Sequence, residues 1–169
     1  MSKRTITELS EFQIHALMDV VHSSSTSNQD DCLTVNVSSS TKLSRNQKGY
    51  VQLKVPVDVD HHLDIYHTAK TCTNKKVQLH QLIAWMATDE RGEYRFREQI
   101  AAATLEVSHL CHNKQCANPS HLHLEDSYTN KSRGFCECII YVGGIEQDIC
   151  RHNPKCVVTS DVRSKAFSF

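Results

Sequence analysis

The sequence predicts one antiparallel, loop-rich α+β domain held together by metal. Three observations lead there: apolar residues at helical spacing near the start, apolar–polar alternation after residue 33, and two dense clusters of cysteine and histidine in the second half. The 169 residues fit a single domain with a modest core, and because only 7% are aromatic, large core side chains are scarce. Bound metal would supply folding energy that such a core lacks.

Each element can be justified in turn. Over residues 5–21, Ile6, Leu9, Ile14, Leu17, Met18 and Val21 fall near helical spacing, and Thr7 or Ser10 can cap. This predicts an amphipathic N-terminal helix packed on the body of the domain, followed by a polar loop over 23–27. Leu33, Val35 and Val37 alternate with polar residues, as does the run 50–55, which predicts strands joined by a hairpin-like loop over 38–49. Residues 75–87 read as a strand end running into a helix, with His80 and Trp85 in the core. Residues 90–103 read as a short helical or irregular stretch.

The first cluster is His109-Leu110-Cys111-His112-Asn113-Lys114-Gln115-Cys116-Ala117-Asn118-Pro119-Ser120-His121. It spaces Cys111, Cys116 and His121 as C-x4-C-x4-H. The second comprises Cys136 and then Cys150, His152 and Cys156. Thiolate sulfur and imidazole nitrogen are the ligands zinc prefers, four to a closed structural site. The second cluster supplies four by itself; the first supplies three and takes a fourth from elsewhere. Two structural Zn²⁺ ions per chain are therefore expected. Eight cysteines could also form four disulfides in a secreted chain. Against this, Met1 is followed by Ser2, Lys3, Arg4 and a polar stretch, with no apolar core of a signal peptide and no run long enough for a membrane span. The interleaved histidines favour zinc-bound thiolates in a reducing, intracellular compartment with no membrane partner.

Nineteen basic residues balance nineteen acidic ones, but the charges are segregated. Residues 41–56 carry Lys42, Arg45, Lys48 and Lys54 without an acid, and residues 66–86 carry Lys70, Lys75 and Lys76 without one. Taken alone these short strips describe a solvated sheet surface; strips of this kind also suit phosphates.

The run Ser108-His109-Leu110-Cys111-His112-Asn113, then Cys116, Asn118-Pro119, His121-Leu122, Asn130-Lys131, Arg133 and Cys136, closely resembles the His-Cys box homing endonucleases, the zinc-bound branch of the ββα-metal nucleases. The closing C-x-H-x3-C box appears as Cys150, His152 and Cys156. Upstream, Cys32 precedes a Gly49-Tyr50 strand and an apolar stretch ending in Trp85. The likeness is specific over 108–156 and looser over 30–156.

The resemblance implies a zinc-stabilised ββα-metal nuclease fold with an antiparallel DNA-binding sheet, an N-terminal helix and little regular structure in the C-terminal part. It assigns His109 as the general base and Asn130 as the ligand of one catalytic Mg²⁺. Cys111, Cys116 and His121 become ligands of the first zinc, and Cys136, Cys150, His152 and Cys156 those of the second. Family order selects Cys32 as fourth ligand of the first zinc, with Cys72 its rival. Cys72 and Cys138 are then free thiols, although Cys138 could replace Cys136. The 136–150 connection is longer than the family commonly shows, so a distorted or elaborated second site is expected. An arginine that holds the scissile phosphate in the family has no evident counterpart; Lys70, Lys75 and Lys76 lack its bidentate fork.

The whole chain, 1–169, then reads as one endonuclease domain. It comprises an N-terminal helix and loop (1–30), a DNA-binding sheet region (31–107), a zinc-bound catalytic motif (108–156) and a tail (157–169). The function implied is site-specific cleavage of double-stranded DNA by a homodimer, in the nucleus, serving intron homing. A zinc-stabilised DNA-binding module without cleavage, or a less specific nuclease of the same superfamily, are the rival readings. Phe167 and Phe169 suggest that the tail docks on a partner subunit.

Overall fold

A computed structural model describes residues 11–27, 32–57, 73–90, 99 and 104–168. Helix α1 (Glu11–Ser23) turns Leu17 and Val21 inward, as the helical spacing predicts. Strands β1 (Ser25–Ser27) and β2 (Leu33–Val35) pair antiparallel. A three-stranded antiparallel sheet follows, in the order β3 (Leu43–Arg45), β4 (Val51–Val57), β5 (Thr73–Gln78). Strand β3 lies inside the segment 38–49 that the sequence presents as a loop. Leu43 is its only strongly apolar residue, so no alternation marks it.

The period-2 rule fixes the faces of this sheet. Leu43, Leu53 and Val77 share one register row, and all three are buried. The rows on either side point the other way. One holds Ser44, Gln52 and Gln78; the other holds Lys54 opposite Lys76, with Lys42 joined to Lys54 through its carbonyl. Like charges directly opposite one another on a sheet repel.

Helix α2 (Leu79–Glu90) begins where β5 ends and packs its buried Leu79, Leu82, Ile83 and Trp85 against the sheet. It also touches the antiparallel hairpin of β6 (Glu106–His109) and β7 (Leu122–Glu125). Helix α3 (Ser127–Arg133) leaves β7 at once, capped by Asp126, whose carboxylate accepts from the backbone N–H of Tyr128 and Thr129. Two strands and a helix thus form one unit, with His109 at the end of the first strand and Asn130 on the helix. The mixed helix and antiparallel strand content is the α+β class expected.

A second, smaller core contains Cys138, Ile139, Cys150, Cys156 and Val162. The long 136–150 connection forms a hairpin of β8 (Ile139–Val142) and β9 (Ile145–Asp148). Its two-residue turn needs positive φ, which Gly143 and Gly144 supply at 58° and 79°. Helix α4 (Ser160–Lys165), capped by Thr159, inserts Val162 into this core. The backbone N–H of Tyr141 then donates to the Phe167 carbonyl, laying the tail along β8 of its own chain. Cys72, Lys70, residues 1–10, most of 90–103 and Phe169 lie outside the described residues.

Candidate functional site

The first cluster is assembled from distant parts of the chain. The strand β2 edge exchanges hydrogen bonds with the loop after β6: the Val35 N–H donates to the Gln115 carbonyl, and the Ala117 N–H to that of Leu33. This brings Cys32 to Cys111, Cys116 and His121, all four buried and with ligand atoms within 4.8 Å of one another. Asn118 caps the short turn Pro119–His121 and so sets His121 in place. His121 Nδ1 is 3.5 Å from both Cys32 Sγ and Cys116 Sγ. A tetrahedron with zinc's bond lengths has S···N edges of about 3.5 Å and S···S edges of about 3.8 Å. The two S···N edges match those of a zinc tetrahedron, and the donor set is one that zinc prefers. Without metal, the Cys111 thiol donates to Cys116 and holds it down to about 5, while Cys111 is pushed up.

The second cluster gathers Cys136, Cys150, His152 and Cys156 within the same 4.8 Å limit. His152 Nδ1 lies 3.6 Å from Cys150 Sγ and 3.8 Å from Cys156 Sγ. Its other nitrogen, Nε2, is 2.8 Å from Ser132 Oγ, which orients the ring from outside. Cys138, expected to be free, is fully buried, with its sulfur 3.7 Å from Cys136 Sγ and 3.4 Å from His112 Nε2. His112, Cys138 and Cys156 form a further group at ligand distance. Both His112 (φ 59°) and Cys138 (φ 63°) occupy the left-handed region, a strain that their packing holds in place.

Arg133 ties this cluster to the strands. It is 2% exposed, pairs with the Glu125 carboxylate at 2.7 Å, and donates to the Pro154 carbonyl and to Cys156 Sγ. Both clusters then converge on one residue. Leu110 donates its N–H to the carbonyl of His121, a residue of the first cluster, and accepts from the N–H of Val157, which follows Cys156 of the second. The backbone immediately after His109 is thereby clamped on both sides.

A cavity of about 450 Å³ opens over this clamp, lined by Tyr50, His109, His112, Lys114, Asn130 and Lys165 among others. His109 is 8% exposed, and burial lowers its pKa to about 4, with Lys114 and His121 pushing the same way. An interaction with the Cys116 backbone opposes that shift. Nε2 has no partner among the described residues. His80 and Tyr50 pack beside this ring, at centroid separations of 4.9 and 5.8 Å. His80 is held neutral by burial. Asn130 donates from Nδ2 to Glu106 Oε2 at 2.7 Å. Lys114 reaches over the Tyr50 ring and donates to the Lys48 carbonyl.

The family described as the zinc-binding loop region of homing endonuclease matches this chain over residues 31–167. The chain belongs to the His-Cys box homing endonuclease family. Searches of curated proteins and of solved structures return no match. Family membership and the two Cys/His clusters together make zinc the metal of this fold and DNA the partner of this endonuclease family. Among the described residues no helix is long and apolar enough to cross a membrane.

The residues quoted from the sequence for each zinc site do come together, and His109 and Asn130 share one cavity wall. Glu106, Tyr50, Lys114 and the contact of His80 with His109 are additions. Only Tyr50 carried a local signal, through the Gly49-Tyr50 pair; the others act across long sequence separations that no spacing reveals.

Proposed function

We propose that this His-Cys box protein is a site-specific double-strand DNA endonuclease, with His109 as general base, Asn130 as ligand of one Mg²⁺, and two structural zincs held by the sets above. The observation that carries the reading is the His109 ring. Burial holds it neutral, and it lines a cavity whose wall also holds Asn130.

Water attacking phosphorus loses its proton to the His109 ring, while the P–O3′ bond breaks and the 3′ oxygen leaves. A base with a pKa of about 4 is weak, but a phosphodiester anion in the cavity raises it toward the working range. The Asn130 amide oxygen is a hard, neutral donor of the kind Mg²⁺ accepts alongside water and phosphate oxygens. When bound, that ion stabilises the charge on the leaving 3′ oxygen. Lys114 and Lys165, both on the cavity wall, take the place of the missing arginine against the phosphate. The polar sheet face of Lys42, Lys54, Lys76 and Gln78 suits the major groove: lysines meet phosphates and a glutamine can read a base edge. One centre cuts one strand, so a homodimer with two-fold symmetry completes a double-strand break. Intron homing and a nuclear location belong to the same reading.

Supercoiled plasmids with and without candidate target sites distinguish the possibilities. Linearisation of target plasmids alone, only when Mg²⁺ is present, is expected. Equal cutting of all plasmids would favour a general nuclease, and binding without cutting would favour a DNA-binding module.

A further inference from the structure

Glu106 and Glu125 stand directly opposite each other across the β6–β7 ladder. Two carboxylates in that relation repel unless each is compensated. Helix α3 answers both from one face, with side chains three residues apart. Arg133 neutralises Glu125 through a bidentate pair. Opposite Glu106 the helix places the uncharged Asn130 instead, and among the described residues no lysine or arginine pairs with Glu106. A carboxylate can only accept hydrogen bonds, so only the Asn130 NH₂ group satisfies it. The amide is thereby held one way round, with its oxygen turned from Glu106.

We propose that Glu106 is the positioning residue of the catalytic cation site: it locks the Asn130 amide so that Oδ1 is the atom presented to a divalent ion, and its uncompensated charge draws that ion in. The inference rests on the reading of Asn130 as metal ligand. It explains why a neutral asparagine can serve as the one direct protein ligand, because the anionic charge is supplied from behind. It also explains the choice of glutamate over glutamine. A glutamine could donate to Asn130 Oδ1 as readily as accept from Nδ2, and the amide would lose its single orientation.

The test is Mn²⁺ binding to zinc-loaded protein, read by the electron paramagnetic resonance of free Mn²⁺, with zinc content and melting temperature as controls on folding. Asn130→Ala is expected to abolish the site. Glu106→Ala should weaken it by about 10-fold or more, the usual cost of losing the partner of a metal ligand, with Glu106→Gln intermediate. Combining Asn130→Asp with Glu106→Gln exchanges the two functional groups, and should restore affinity that Glu106→Gln alone loses. Wild-type affinity in Glu106→Ala, with loss in Asn130→Ala, overturns the role of Glu106 and leaves the metal reading intact. If the unsubstituted protein binds no Mn²⁺, both readings fall.

Discussion

Burial of two histidines against each other makes stability depend on pH in a defined direction. His80 and His109 both have pKa values lowered in the folded chain, chiefly by burial. The unfolded chain therefore binds more protons than the folded one as pH falls below about 6.5. The stability these rings contribute is fully present above that pH and is lost as pH falls toward 4. His80→Phe keeps the stacking volume and removes one of the titrating groups. Urea denaturation at pH 7 and pH 5.5 is expected to show a smaller loss for the variant; an equal loss would mean that His80 is not held neutral. At this scale the sequence was legible where chemistry is local. His109, two residues before Cys111, could be read directly. Glu106 could not, because its partner Asn130 is 24 residues away and neither is unusual by itself.

At the scale of elements, Arg133 is the bolt between helix α3, strand β7 and the second cluster. Removing one partner of a buried ion pair leaves the other uncompensated, so Arg133→Met should cost about 3–5 kcal/mol. Adding Glu125→Leu should recover part of that loss, which a double-mutant cycle by denaturant unfolding would measure. Cys150→Ser should release one zinc equivalent and destabilise by at least about 3 kcal/mol, in the range where loss of a metal falls. Cys72→Ser should keep both zincs and the wild-type melting temperature. Equal melting temperatures for the two variants would contradict the ligand assignment. Cys150→Ser should also slow cleavage, because the second cluster holds the Leu110 carbonyl through Val157. The elements that were legible in the sequence had strong periodicity: α1, β4 and the β5–α2 junction. Strand β3 and the β8–β9 hairpin were not. One has a single buried apolar residue, and the other buries Ile139 while its second strand is exposed throughout.

For the whole molecule, the tail is less independent than its two phenylalanines suggest. Helix α4 fills the second core through Val162, and the backbone at Phe167 pairs with Tyr141 of the same chain. Truncation after Thr159 would therefore damage the second cluster as well as any dimer contact. Point substitution is the cleaner test. Phe135, Ile145 and Phe167 expose 89%, 68% and 57% of their surface, and the proposed dimer contact is tested at these side chains. Phe167→Ser with Ile145→Ser should convert a dimer to monomer in sedimentation while leaving zinc content unchanged. The same change should slow double-strand cutting more than nicking. A monomer in the unsubstituted protein, both free and on its target DNA, would contradict the dimer.

The most direct measurement is single-turnover cleavage of a bound target by His109→Ala in saturating Mg²⁺, with both zincs verified. Loss of a general base should lower the rate by roughly 10²–10⁴-fold while DNA affinity stays at the unsubstituted value. Cleavage at the unsubstituted rate by a folded, zinc-replete His109→Ala protein would show that hydrolysis does not occur at this centre.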